Sequence, residues 1–186
     1  GRGATAGVLV KKAEALEVFG KVNTLVLDKT GTLTEGKPKL LSIRFVPPWS
    51  DVELVRLAAS VERSSEHPLA AAVVAGAEQR RIVCAPAAQF RSVTGKGVTG
   101  MVDGHRVAIG TAAFLRNDVG VSSQNLKPLD DDAASLRGEG QTILFVAIDE
   151  QPVGILGVAD PIKTSTASAV QALREEEIRI VMVTRD

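Results

Sequence analysis

An apolar, β-branched run at Val22–Leu27 leads directly into the polar string Asp28–Thr34, which reads Asp-Lys-Thr-Gly-Thr-Leu-Thr. Runs of this composition form strands that are covered on both faces, as in parallel sheets. A second such run, Ile178–Val183, follows a predicted helix at Thr164–Glu176. The alternation of strand and helix at the two ends of the chain predicts an α/β fold with a parallel sheet.

The sequence between these ends has a different character. Helical spacing of apolar residues predicts helices at Asp51–Arg63 and Pro68–Arg80, followed by short, glycine-rich strands over Phe90–Ile109. Thr142–Ile148 and Val153–Val158 are predicted to be strands, and we expect the parallel sheet to resume near Val153. The chain is therefore divided into residues 1–36, an inserted α+β domain at 37–152, and residues 153–186.

Composition excludes several classes of protein. The 186 residues are 45% apolar, which is enough for a buried core, and 22 basic residues balance 22 acidic ones. Because the net charge is zero, there is no electrostatic reason to expect nucleic acid as a partner. Cys84 is the single cysteine, so no internal disulfide can form. No run approaches the roughly 20 apolar residues of a membrane span, and we expect a soluble piece of a longer protein.

Asp28 is the residue with the clearest chemistry. It ends a predicted parallel strand, which is where α/β sheets place their active sites. Gly31 allows a tight turn whose N–H groups can face an anion, while Lys29 and Thr30 add a charge and a hydroxyl. These groups suit attack by the Asp28 carboxylate on a phosphoryl group. We expect Mg²⁺ alongside, because carboxylate and phosphate are both anionic.

The string Asp28–Thr34 resembles the phosphorylation signature of P-type ATPases. The resemblance implies a partial haloacid dehalogenase-like, Rossmann-like parallel sheet carrying an inserted nucleotide-binding domain. It further implies that ATP phosphorylates Asp28, that Lys29, Thr30 and Thr184 act at the phosphate, and that Mg²⁺ is held by Asp28 and the backbone carbonyl of Thr30. Phosphatases of the haloacid dehalogenase superfamily carry a second aspartate where this chain has Thr30, which favours a persistent phosphoenzyme over hydrolysis.

Further motifs resemble the nucleotide-binding domain of heavy-metal pumps. Glu62–Pro68 contains a Ser-Glu-His-Pro motif, Gly95-Lys96-Gly97 is similar to that domain's Gly-x-Gly loop, and Ile109-Gly110 to a later glycine. We expect the His67 ring to stack on adenine and Glu62 to accept a hydrogen bond from the adenine amino group. The nucleotide-binding residues that the resemblance implies are Glu62, His67, Gly95, Gly97 and Gly110.

Two segments resemble the family's hinge. Asp160-Pro161-Ile162-Lys163 looks like its Asp-Pro motif, and Val183–Asp186 takes the place of its Thr-Gly-Asp, with Arg185 in the glycine position. The resemblance assigns Asp160, Lys163 and Asp186 to the hinge. Two other interpretations of Lys163 stay open, namely a peripheral phosphate contact and a solvated lysine at a helix start.

The transported ion is suggested by the N-terminal segment. Gly7–Glu17 looks like the connection from the membrane in copper-transporting pumps, and Ala13–Glu17 favours copper(I) over zinc or cadmium. The resemblance implies a parent protein at the cytoplasmic face of a membrane, with actuator and transmembrane domains as partners. Copper(I) would bind elsewhere, since neither Cys-x-x-Cys nor Cys-Pro-Cys occurs.

Three alternatives remain at this stage. They are a zinc or cadmium pump, a truncated nucleotide-binding module without catalysis, and a stand-alone phosphatase. The family's Gly-Asp-Gly-x-Asn-Asp magnesium motif does not occur in these 186 residues. We therefore expect the isolated chain to bind adenine nucleotide weakly, without appreciable turnover.

Overall fold

The structure is a computed structural model that describes residues 12–183. The chain divides into two compact units, the first formed by Gly1–Gly36 with Ile162–Asp186 and the second by Lys37–Pro161. In chain order the elements are α1 (Ala13–Phe19), β1 (Thr24–Asp28), β2 (Lys39–Phe45), α2 (Asp51–Glu62), α3 (Pro68–Gln79), β3 (Ala88–Val93), β4 (Gly97–Val102), β5 (His105–Gly110), α4 (Ala112–Phe114), α5 (Ser123–Gly138), β6 (Thr142–Ile148), β7 (Gln151–Ala159), α6 (Thr166–Glu175) and β8 (Arg179–Val183).

The first unit contains the parallel strand pair that the sequence predicts. β1 and β8 run parallel, with Thr24 opposite Arg179 and Asp28 opposite Val183. The helix before β8, α6, begins and ends within two residues of its predicted bounds. The expectation that these strands are covered on both faces is wrong for the described residues, because Val26 is 62% exposed.

The second unit is built on a six-stranded antiparallel sheet with strand order β2-β7-β6-β5-β4-β3. β7 pairs antiparallel with both β2 and β6. The predicted domain boundary between residues 152 and 153 is therefore wrong, since β7 lies inside this sheet and the chain leaves the unit only after Pro161. Val153–Val158 is buried on both faces, and a short apolar strand of this kind has the same local pattern in a parallel and in an antiparallel sheet.

Helices cover both faces of the six-stranded sheet. Alternate residues of β6 belong to two cores, Leu144 and Val146 to one and Phe145 to the other. The first core is closed by α2 and α3, and the second by α4 and α5. Each large side chain buried completely in this way contributes about 2 kcal/mol of hydrophobic stabilisation.

Local signals explain where these helices begin. The Ser50 hydroxyl accepts from the backbone N–H of Glu53 and donates to the Glu53 carboxylate, so Ser50 caps the N-terminus of α2. Pro68 occupies the first turn of α3, where no helical hydrogen bond is lost. No helix in residues 12–183 combines the length and the apolar character that crossing a bilayer requires.

Candidate active site

Asp28 stands at the carboxyl end of β1. Its Oδ1 accepts a hydrogen bond of 3.2 Å from the backbone N–H of Thr30, and the side chain is exposed. Within residues 12–183, the other carboxylate oxygen of Asp28 has no hydrogen-bond partner. One oxygen is thus oriented by the loop that follows, while the second is available to react.

The loop Lys29–Leu33 has the shape of a wide helical turn with a non-helical centre. Thr30 (φ −76°, ψ 125°) and Gly31 (φ 76°, ψ −17°) have the angles of a type II turn. Such a turn requires a positive φ at its third position, which favours glycine. An added Cβ on Gly31 would meet no atom within 4 Å, so the backbone conformation alone selects glycine here.

Thr34 closes this loop from within, a role that the sequence analysis did not assign. Its hydroxyl accepts from the N–H of Gly31 at 3.0 Å and donates to the carbonyl of Lys29 at 3.3 Å. The N–H of Thr34 donates to the same carbonyl. Thr34 is only 3% exposed. A buried hydroxyl with two backbone partners fixes the width of the loop. In the sequence, the only indication of this role was a threonine at the end of the Asp28–Thr34 string.

The loop offers oxygen atoms that fit Mg²⁺. Because a trans peptide is planar, its carbonyl points opposite to its N–H. The N–H of Gly31 is directed at Thr34, so the carbonyl of Thr30 points away from Thr34. A carboxylate and a carbonyl are ligands of the kind that Mg²⁺ prefers, with water and phosphate completing its shell. Within residues 12–183, no group of three or more His, Cys, Asp or Glu side chains is placed to hold a metal ion.

The segment that returns to the first unit contacts the loop. Thr34 and Ile162 form an isolated antiparallel bridge. The Lys163 side chain donates from Nζ to the carbonyl of Gly31 at 2.7 Å, and the Thr166 hydroxyl donates to the carbonyl of Leu33 at 2.7 Å. Lys163 is therefore bonded to the loop rather than merely solvated.

The remaining predicted hinge residues fall elsewhere. In the second unit, Asp160 Oδ1 accepts from the backbone N–H of Lys37 at 3.1 Å, so the residues at which the chain enters and leaves that unit are joined. Thr184, Arg185 and Asp186 lie outside the described residues, as does the Gly7–Lys11 part of the N-terminal segment.

Glu62 lies at the end of α2 with 6% of its surface exposed. Burial raises the pKa of its carboxyl to about 7, and a hydrogen bond from Ser65 opposes that rise. Glu62 lines a cleft of about 330 Å³ whose other lining residues are Arg63, Ser65, Ala71, Val74, Ala75 and Glu78. The cleft thus combines a buried carboxyl with small apolar side chains of α3.

His67 caps the start of α3. Its Nδ1 accepts from the N–H of Leu69 at 3.2 Å, so the neutral ring carries its proton on Nε2, and the residue is exposed. The Ser65 hydroxyl accepts from the N–H of His67 at 3.3 Å and lies near enough to the Glu62 carboxyl to lower its pKa. Ser65 is therefore a common neighbour of the two predicted adenine-binding residues.

The three predicted glycines differ in their surroundings. Gly97 and Gly110 lie opposite each other in β4 and β5, and an added Cβ would lie 2.5 Å and 2.8 Å, respectively, from the Phe114 ring. Close packing thus explains why both positions are glycine. Gly95 has a φ of +70° in the preceding turn and faces open space. A nucleotide contact by these glycines stays a prediction.

The end of α2 lies over the strand that begins at Gly97. Val61 packs against Gly100 of β4, where an added Cβ would be 3.2 Å from its Cγ2. The helix end that carries Glu62 and the strand that follows the Gly-x-Gly loop are therefore neighbours in the second unit.

A family model described as "Hydrolase: haloacid dehalogenase-like hydrolase" matches residues 22–186. The chain belongs to this haloacid dehalogenase-like hydrolase family. Its predicted fold, a partial parallel sheet with an inserted α+β domain, is thereby confirmed.

Curated relatives of this haloacid dehalogenase-like chain are metal pumps. It is 49% identical to a copper-transporting P-type ATPase of Rhizobium leguminosarum bv. viciae, over 100% of this chain and 22% of the relative. It is 47% identical to a copper-exporting P-type ATPase of Legionella pneumophila, over 100% of this chain and 25% of the relative. The silver exporting P-type ATPase of Salmonella typhimurium is 44% identical, with 100% and 22% covered. The chain thus spans about a quarter of its relatives' length, and the resemblance to P-type ATPases is confirmed.

Solved structures agree with this relationship. A zinc-transporting PIB-type ATPase in its E2.Pi state superposes with a TM-score of 0.82 at 32% identity, covering 94% of this chain and 27% of that one. The catalytic domain of a CPx-ATPase, whose structure concerns changes upon nucleotide binding, matches with a TM-score of 0.66 at 21% identity. It covers 96% of this chain and 60% of that one, and its likeness shows the fold alone.

Proposed function

We propose that this chain is the ATP-binding and phosphorylation region of a copper(I)-transporting P-type ATPase, in which ATP bound by the second unit phosphorylates Asp28. The observation that carries the proposal is the geometry of Asp28, with one carboxylate oxygen held by the N–H of Thr30 and the other uncommitted among the described residues. Whole-chain identity to copper pumps supports the choice of ion.

The chemistry follows from that geometry. The uncommitted oxygen of Asp28 attacks the γ-phosphorus of ATP, and the bond between this phosphorus and the β–γ bridging oxygen breaks. ADP leaves with the bonding electrons, and Asp28 becomes an acyl phosphate. The ammonium of Lys29 and the hydroxyls of Thr30 and Thr184 stabilise the negative charge on the phosphoryl oxygens. Mg²⁺ held by Asp28 and the Thr30 carbonyl would reduce the repulsion between carboxylate and phosphate.

The second unit holds the nucleotide in this proposal. Glu62 accepts from the adenine amino group, the exposed His67 ring stacks on the base, and the backbone near Gly95, Gly97 and Gly110 approaches the phosphates. The apolar wall beside Glu62 and the position of Ser65 next to both Glu62 and His67 support this assignment. An adenine ring needs such a flat apolar contact together with a few fixed polar groups.

Thr30 explains why the phosphoenzyme persists. A carboxylate at that position would activate water, whereas a hydroxyl does not. A long-lived acyl phosphate can be coupled to movements of the parent protein's actuator and transmembrane domains at the cytoplasmic face of a membrane. Copper(I) is bound by other parts of the parent. The same residue argues against a stand-alone phosphatase.

Metal-stimulated ATP hydrolysis by the full-length parent tests the proposal. We expect copper(I) to stimulate hydrolysis and zinc not to. Silver(I), a related soft ion, should also stimulate it. Asp28→Asn should lower the stimulated rate on the order of 1,000-fold, because the nucleophile is lost. Asp131→Asn, on an exposed position of α5, is the matched control and should match the wild type.

Two results would contradict it. Stimulation by zinc or cadmium alone would replace the copper assignment by the zinc alternative. Hydrolysis that survives Asp28→Asn would remove Asp28 from the reaction altogether.

A further inference from the structure

The phosphorylation loop is held by a residue that is far away in the sequence. Lys163 lies 132 positions after Gly31, yet its Nζ donates to the Gly31 carbonyl at 2.7 Å. The backbone N–H of Lys163 donates to the Leu33 carbonyl at 3.0 Å. A single residue thus engages two carbonyls of the loop that follows Asp28.

We propose that Lys163, assisted by Thr166, is a positioning residue that fixes the Asp28 loop and directs the backbone N–H of Thr32 toward the transferred phosphoryl group. This inference rests on the proposed function, because it concerns how that same loop works.

Peptide planarity gives the physical link. The carbonyl of Gly31 and the N–H of Thr32 belong to one trans peptide and point in opposite directions. When Lys163 holds the Gly31 carbonyl, the N–H of Thr32 is turned away from Lys163. An N–H with a fixed direction stabilises developing negative charge without reorganisation during the reaction.

The peptide between Leu33 and Thr34 shows that this reasoning holds in the same loop. The carbonyl of Leu33 accepts from the N–H of Lys163 and from the hydroxyl of Thr166. The N–H of the same peptide, that of Thr34, points the other way and donates to the carbonyl of Lys29. Holding the Leu33 carbonyl therefore supports the inner bond that closes the loop.

The chemistry of the contact suits a lysine. Its ammonium group makes a charge-assisted hydrogen bond, which is stronger than one between neutral groups. Lys163 and Thr166 are both half-buried, so water competes less for these bonds than at a fully exposed site. Lys163 touches the loop backbone and not Asp28 itself, so it acts through the loop.

Single-turnover phosphorylation of the full-length parent by labelled ATP tests the inference. Lys163→Met should slow formation of the hydroxylamine-labile phosphoenzyme about 10-fold to 100-fold at saturating ATP, as expected for loss of one charged hydrogen bond. The apparent KM for ATP should change by less than about 3-fold, since Lys163 does not contact the nucleotide. Lys163→Arg retains a charged donor and should recover most of the rate.

Two further variants complete the design. Arg174→Met removes a cation from an exposed position of α6 and should phosphorylate like the wild type. Thr166→Val removes one of the two donors to the Leu33 carbonyl and should slow phosphorylation about 5-fold. If Lys163→Met does not fold, Thr166→Val decides the question.

Each contrary result has a distinct meaning. A wild-type rate in Lys163→Met or Thr166→Val overturns the inference, as does a change confined to KM, which would place Lys163 at the nucleotide. Equal defects in Lys163→Arg and Lys163→Met also overturn it, because the donor would then not matter. If the wild-type parent forms no hydroxylamine-labile phosphoenzyme, the proposed function fails first and the inference fails with it.

Discussion

Asp28 and Glu62 are both carboxylates, and their surroundings suit different tasks. Asp28 is exposed and holds one hydrogen bond from the loop that follows it. Glu62 is 6% exposed, and burial raises its pKa to about 7. The first arrangement leaves an oxygen accessible to a phosphate, while the second places an acceptor in a cleft with apolar walls, where one hydrogen bond to a base is strong.

Glu62 should make the stability of the second unit depend on pH. Its pKa is higher in the folded state than the usual 4.5, so the folded chain binds this proton more tightly than the unfolded chain. The free energy of unfolding should therefore fall as pH rises from about 4.5 to 7, by up to about 3 kcal/mol. Urea denaturation at pH 5 and pH 7.5 measures the difference.

Glu62→Gln should remove most of that dependence, because the amide does not titrate. Glu78→Gln changes a carboxyl that lines the same cleft but is exposed, and it should keep the wild-type dependence. A pH profile identical in Glu62→Gln and the wild type would show that Glu62 is not the titrating group.

ATP affinity should respond to pH in the opposite sense. The ionised carboxylate is the stronger acceptor for the adenine amino group, so affinity should increase as pH rises through about 7. The group that weakens folding near neutral pH is thus the one expected to strengthen binding. Calorimetric titration with ATP at pH 6 and pH 8 gives the two affinities.

At the scale of elements, local signals predicted the helices better than they predicted the partners of the strands. α2 and α3 agree with their predicted bounds to within one residue at each end, because a serine cap and a first-turn proline mark their starts. β7 was assigned to the wrong sheet, since its apolar run does not encode which strand it pairs with.

The candidate site shows the same division between local and distant information. Asp28, its turn glycine and their order were readable, because the whole loop lies within seven consecutive residues. The contact between Lys163 and Gly31 was not, since 132 positions separate the two residues and only folding brings them together. Thr34 was overlooked because the sequence does not reveal the burial of a hydroxyl.

His67 caps α3 and is proposed to stack on adenine, and these two roles can be separated. His67→Ala removes the cap of α3 and the ring, so we expect a loss of about 1 kcal/mol in stability together with weaker ATP binding. His67→Asn keeps a side-chain oxygen that can cap the helix, so stability should stay near the wild type while binding weakens equally. Urea denaturation measures the stability of each variant, and titration with ATP measures its affinity. Unchanged ATP affinity in His67→Asn would exclude ring stacking on adenine.

For the whole molecule, the two units divide the proposed work. The five residues assigned to the nucleotide all lie in Lys37–Pro161, whereas Asp28 and its loop belong to the other unit. The chain enters the second unit after Gly36 and returns at Ile162. Its first contacts on returning are with the loop of Asp28, through Ile162, Lys163 and Thr166.

The most direct test of the proposed function is to identify the residue that receives the phosphate. The full-length parent is mixed with ATP and its activating metal, quenched in acid and treated with borohydride, which reduces an aspartyl phosphate to homoserine. Peptide mapping should then find homoserine at position 28, and none in the Asp28→Asn variant. Homoserine at another aspartate, or a stable phosphate on a serine or threonine, would contradict the assignment of Asp28 as the phosphate acceptor.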